Sequence, residues 1–146
     1  MPTGRRALRN ILAAAKIKPG EVFYDLGSGD GRLVIAAAKQ GAKAYGVERV
    51  LTLVLWSRLN IWLFGLRGKA FIKYGNLLKA DLHDADIVFC YLMPHGMEKL
   101  RHKLEIELRP GTRLLARAFK VPNWEPVVIH KFSKYQPFVY EYLIKK

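Results

Sequence analysis

The sequence is short of acid. Twelve Asp and Glu stand against 25 Lys and Arg, which leaves a formal net charge of +13 on 146 residues. The shortage is also local: residues 1–18 carry five basic side chains and no acid, and residues 49–80 carry six and no acid. A field of this sign favours polyanions and acidic protein surfaces as partners. Contact with nucleic acid through a basic surface is therefore one open reading, and a solubilising surface charge is the other. No aromatic–basic RNA-binding module or recognition helix accompanies the charge.

Cysteine is almost absent. Cys90 stands alone inside an apolar run, so a disulfide framework is excluded and a buried strand position is expected. The expected compartment is the cytoplasm. There is no Pro/Gly/Ser-rich linker, internal repeat or low-complexity run, so the chain reads as one domain over 1–146, long enough for a real core. Residues 1–18 are basic and helical rather than built on a long apolar centre, and no signal peptide is expected. No apolar run is long enough to span a bilayer either. The stretch 50–66 comes nearest, but it contains Ser57, Arg58 and Asn60 and is too short. It reads as a helix packed on a sheet. Its apolar residues Leu51, Val54, Leu55, Leu59, Trp62 and Leu63 cover more than one narrow stripe. Trp56 and Trp62 are thus expected to be partly exposed, with contact to a partner or a second copy through this helix as a homo-oligomer reading.

What the chain does have is Val22-Phe23-Tyr24-Asp25-Leu26-Gly27-Ser28-Gly29-Asp30-Gly31-Arg32, followed by Leu33-Val34-Ile35-Ala36-Ala37-Ala38. An apolar strand ends in an acid, three glycines follow at alternate positions, and a helix begins. This geometry brings backbone N–H groups close to a ligand at the positive end of a helix dipole. A dinucleotide fingerprint needs glycine at the sixth loop position, where Arg32 stands, and the Gly-Lys-Ser/Thr of a P-loop is absent. A second short apolar strand then ends in Glu48. A carboxylate there can accept both hydroxyls of a ribose.

The rest of the chain alternates. Helices are expected over 5–16, 31–40, 50–64 and 97–108, and strands over 22–26, 42–47, 69–73, 86–92 and 112–118. The runs 127–132 and 138–144 read as a closing antiparallel pair. Alternation of this kind predicts a doubly wound α/β fold, mostly parallel, with right-handed crossovers and ligands at the carboxyl ends of the strands. His83, Asp84 and Asp86 fit no familiar metal spacing.

The pattern Asp25-x-Gly27-x-Gly29-x-Gly31 resembles the first motif of the class I S-adenosylmethionine (SAM) methyltransferases. The later segments are more specific. Asp86 through Phe119, with Tyr91-Leu92-Met93-Pro94 and Lys103-Leu104-Glu105-Ile106-Glu107-Leu108, and then Asn123-Trp124-Glu125-Pro126, resemble the small archaeal protein lysine methyltransferases and their mitochondrial relatives. The likeness runs from about Pro2-Thr3 to Pro126. It implies a Rossmann-like, seven-stranded class I methyltransferase fold, SAM as cofactor and S-adenosylhomocysteine as product. It also implies cofactor contacts from Thr3, Asp25, Gly27, Ser28, Gly29, Gly31, Glu48, Asn76 and Leu77. In such a site the glycine loop packs on the methionine part, Glu48 takes the ribose, Asn76 accepts from the adenine amino group and Leu77 covers the ring. Asn76 stands where relatives often carry Asp, which alters the strength of adenine binding.

The resemblance further implies methyl transfer to the side-chain amine of exposed lysines on proteins, with Tyr91 and, more weakly, Trp124 and Phe119 lining the substrate channel. His95 is a helix-start residue first and a proton relay second. The Asn/Asp-Pro-Pro-aromatic segment of base-amine methyltransferases is missing at 91–94, which counts against adenine or cytosine amines. Two other readings stay open: an RNA methyltransferase of the same fold, and a non-catalytic binding protein that keeps the fold.

Overall fold

The apolar runs become strands where both faces of a sheet can cover them. In the computed structural model, which describes residues 4–145, seven strands form one sheet: β1 (Val22–Leu26), β2 (Lys43–Glu48), β3 (Ala70–Tyr74), β4 (Ile87–Cys90), β5 (Arg113–Arg117), β6 (Val128–His130) and β7 (Val139–Leu143). Their order is β3-β2-β1-β4-β5-β7-β6. The first five are parallel, and β7 runs antiparallel between β5 and β6. The reversal of strand order between β1 and β4 opens a crevice at the carboxyl ends of those two strands, where such sheets bind ligands.

Four helices complete the fold: α1 (Arg5–Ala15), α2 (Arg32–Lys39), α3 (Leu51–Leu63) and α4 (Pro94–Glu107). Strand periodicity divides the core between the two faces. Phe23, Ile87, Phe89 and Leu115 pack with Ile11, Val34, Val54 and Ile61 from α1, α2 and α3. Tyr24, Val88, Cys90 and Leu114 point the other way and pack with Met97, Leu100 and Leu104 of α4. One helix cannot cover the whole of this second face. Over β1–β3 it is roofed instead by a stacked ladder of Tyr24, Tyr45 and Phe71, with ring centroids 4.8 and 5.0 Å apart.

The expected strand over 86–92 is shorter than its apolar run. It stops at Cys90, and α4 begins at Pro94 rather than at Met97. Proline suits the first helical position, since its missing N–H has no partner to lose there, and its fixed φ starts the turn early. Asp86 also leaves the strand: its carboxylate accepts from the Val22 N–H at 2.8 Å and pairs with Arg109 at 2.6 Å. A single 3₁₀ turn at Leu77–Lys79 was not expected. Asn76 caps it by accepting from the Leu78 N–H at 2.9 Å.

Candidate active site

Gly27, Gly29 and Gly31 all adopt positive φ, at 87°, 58° and 83°. Side chains with a Cβ adopt such angles only with strain, so this loop requires glycine. The N–H groups of Gly27 and Ser28 both donate to the Val47 carbonyl, which ties the loop to the end of β2. The Glu48 carboxylate locks it from the same side: Oε1 accepts from Gly29 N–H at 2.8 Å, and Oε2 from the N–H groups of Arg49 and Val50 at 3.0 and 2.9 Å. A carboxylate has about four lone-pair sites, so capacity remains for a ligand donor.

Two residues that hold this arrangement were not singled out from sequence. A Cβ on Gly46 would lie 2.6 Å from the Ser28 side chain and 2.8 Å from Ile72 Cδ1. Ser57, fully buried on α3, shares its one hydroxyl proton between the Leu53 carbonyl at 2.7 Å and the Gly29 carbonyl at 3.2 Å. A Cβ on Gly31 would meet Ser57 Oγ at 2.9 Å. The available signals were a glycine inside an apolar strand and a lone polar residue on the inner face of an apolar helix.

Asp25 is buried in β1, level with Gly46 of β2 and Phe89 of β4. Burial first, then the charges of Glu48 and Asp30, push its carboxyl up from 3.8 to about 7. The end of β1 thus holds an acid that ionises reluctantly. Burial, with a smaller push from Asp25, also raises the Cys90 thiol to about 12 and leaves it un-ionised.

A cleft of about 350 Å³ opens beside the loop. Gly27, Glu48 and Arg49 form one wall, Gly75, Asn76, Leu77 and Leu78 a second, and Leu92, Gly96 and Lys99 a third. Residues from the four segments that follow β1, β2, β3 and β4 therefore meet at one end of the sheet. Tyr91 follows Cys90, which pairs with Leu26, so it stands level with the start of the glycine loop. It is 44% exposed, with the Arg117 guanidinium 4.9 Å from its ring centre. His95 lies exposed in the first turn of α4.

Trp124 does not join them. It packs edge-on against Tyr142 and donates its indole N–H to Glu105 at 3.1 Å. Tyr142 pairs with Leu114 near the start of β5, and Glu105 lies in the last turn of α4, so Trp124 faces the opposite end of the sheet from the cleft. The expected channel role is corrected to a packing role. The segment after β5 has to cross from the carboxyl to the amino end of the sheet before β6 can begin, and it carries Trp124 with it. Thr3 lies outside the described residues. Among the acids near His83, Asp84 accepts from the Tyr24 hydroxyl and Asp86 is held by Arg109, both structural contacts.

Residues 25–128 match the ANTKMT methyltransferase domain. The chain belongs to this family. It is 38% identical over 133 residues to a protein-lysine N-methyltransferase of Saccharolobus islandicus, covering 90% of this chain and 83% of that protein. It is 36% identical over 125 residues to the adenine nucleotide translocase lysine N-methyltransferase of Mus musculus. That match takes in 85% of this chain but 54% of the mouse protein, so the chain spans about half the length of that relative. The solved structure of an RNA methyltransferase from Salinibacter ruber in complex with S-adenosylhomocysteine is 33% identical, with a TM-score of 0.93 over 100% of this chain and 95% of that one.

Fold and family make this a class I SAM-dependent methyltransferase domain. The cleft suits such a cofactor on its own chemistry. Glu48 lines it with acceptor capacity for a diol, Gly27 beside it leaves room for close approach to the backbone, Asp25 lies buried next to Gly27 at the end of β1, and Leu77, Leu78 and Leu92 offer apolar surface for a flat ring. Among the described residues no helix is long and apolar enough to cross a membrane.

Proposed function

We propose that this domain, acting as a single unit over 1–146, methylates the side-chain amine of lysines exposed on protein substrates. The observation that carries the reading is the 38% identity to a protein-lysine N-methyltransferase along 83% of that protein's length. The exposed Tyr91 at the cleft end of β4 supports it, as does the absence of an Asn/Asp-Pro-Pro-aromatic segment at 91–94.

Within this reading the loop Gly27-Ser28-Gly29-Gly31 receives the methionine portion of the cofactor and Asp25 balances its ammonium. Glu48 accepts from the ribose hydroxyls. Asn76, whose Oδ1 already accepts from Leu78, takes the adenine amino group through its remaining lone pair, and Leu77 covers the ring. SAM supplies a methyl group activated by its sulfonium. The protein's own task is then alignment and exclusion of water. The Tyr91 ring forms the channel wall. Its apolar face disfavours the ammonium form of an entering lysine, and its hydroxyl orients the neutral amine. The unpaired Cys90 suits a reducing compartment, and we assign the domain to the cytoplasm.

A second reading, RNA methylation, is favoured by one relative of high coverage, the Salinibacter ruber RNA methyltransferase, and by the net charge of +13. Incubation of the purified protein with tritiated SAM and a cell extract separates the two. Label lost on protease treatment and recovered as methyl-lysine after hydrolysis is expected. Label lost on nuclease treatment instead would replace the lysine reading with the RNA one. Cofactor binding with no label in any fraction would favour a binding protein.

A further inference from the structure

Helix α3 is apolar on both sides. Val54, Ser57 and Ile61 face the core, while Leu51, Leu55, Trp56, Leu59, Trp62 and Leu63 line the outer face and are each 45–64% exposed. A helix that is hydrophobic all round belongs in an apolar environment on both sides, and six large apolar side chains on one turn-by-turn surface form a patch that water tolerates poorly. The surroundings identify what covers it. Arg49, Arg58, Arg67 and Lys69 lie on α3 or its flanking loops, all exposed, and residues 49–80 contain no acid. On the α2 side Lys39 sits with its ammonium 4.0 Å over the ring of Phe64, itself exposed beyond the end of α3.

We infer that the outer face of α3 docks on an anionic phospholipid bilayer, with its Leu and Trp side chains in the interfacial layer and the basic rim on the headgroups. Tryptophan and leucine flanked by Lys and Arg are the side chains that settle at this depth. A second copy is the poorer fit, because it would bring two basic rims and two net charges of +13 face to face. Docking of this face does not depend on which substrate is methylated.

The test is sedimentation of the whole protein with vesicles of phosphatidylcholine alone and of equimolar phosphatidylcholine and phosphatidylglycerol. Retention on the anionic vesicles is expected, weaker on the neutral ones and falling with salt. The double variant Leu59→Ser, Trp62→Ser should lose about tenfold or more in vesicle affinity, while Tyr135→Ser, an exposed aromatic elsewhere, should not. Brominated lipid should quench the wild-type tryptophan emission, a readout that needs no variant. Three results overturn the inference: no retention on anionic vesicles, retention indifferent to the double variant, or a dimer in light scattering that the double variant dissolves.

Discussion

The Glu48 carboxylate accepts the backbone N–H of Gly29 at 2.8 Å, across nineteen residues of sequence, while its second oxygen holds the N–H groups that open α3. One side chain therefore sets the shape of the glycine loop, the start of a helix and one wall of the cleft. Glu48→Ala should weaken SAM binding by about 1.5–3 kcal/mol, roughly tenfold to a hundredfold. Titration calorimetry reads the affinity and thermal melting reads the accompanying loss of stability. Glu48→Gln keeps an oxygen for Gly29 and should melt closer to the wild type while still binding cofactor more weakly. Unchanged affinity in both variants would remove Glu48 from the site.

Asp25 sets a pH dependence whose sign is opposite to that of a salt-bridged acid. Its folded-state value of about 7 lies above the ordinary 3.8, so the folded protein keeps a proton that the unfolded chain releases. Its contribution to stability is therefore greatest below about pH 4, falls as the pH rises toward 7 and levels off above that. Cofactor binding runs the other way, because a cationic group prefers the ionised carboxylate, and affinity should rise with pH through about 7. Asp25→Asn should flatten both profiles, raising the melting temperature of the free protein at pH 8 while lowering SAM affinity. Melting and calorimetry across pH 5–9 check both.

The close approach of Gly46 to Ser28 makes a prediction about the loop rather than the ligand. Gly46→Ala places a methyl group into Ser28 and Ile72 and should cost about 1–3 kcal/mol. Ser57→Ala removes the donor to the Gly29 carbonyl and should cost about 0.5–1.5 kcal/mol. Chemical denaturation measures both. If Gly46→Ala matched the wild type in stability and cofactor affinity, the packing of the loop on β2 would be looser than described.

Tyr91 and Trp124 should separate cleanly. Tyr91→Ala should lower the methyl-transfer rate roughly tenfold to a hundredfold with cofactor affinity little changed. Tyr91→Phe should keep the channel wall and lose less. Trp124→Phe gives up the bond to Glu105 at a cost of about 1 kcal/mol and should leave the transfer rate near that of wild type. Initial rates with tritiated SAM, set beside melting curves, decide each case. A folded Trp124→Phe protein without activity would return that residue to the site.

Local signals carried far in this chain. Strand and helix alternation, the glycines of the loop and the acids at the ends of β1 and β2 are all consequences of short-range patterns, because backbone conformation and side-chain period act within a few residues. The exposed outer face of α3 was legible in the same way, from apolar residues too widely spread for one stripe. What failed were readings that needed a path through space. Trp124 lies in a segment whose route is set by β7 inserting between β5 and β6, and no periodicity encodes that insertion. The end of β4 was misjudged because an apolar run does not show where Pro94 starts a helix.

The sequence by itself determined the elements, their order along the chain and the chemistry available at the carboxyl ends of the strands. Only the tertiary structure decided that Glu48 reaches Gly29, that Ser57 lies against the same loop from α3, that Gly46 clears space for Ser28, and that Trp124 lies at the opposite end of the sheet from the cleft. The physical reason is that hydrogen bonding and close packing are satisfied between groups distant in sequence. Their partners are fixed by the register and order of the strands rather than by any pattern within one of them.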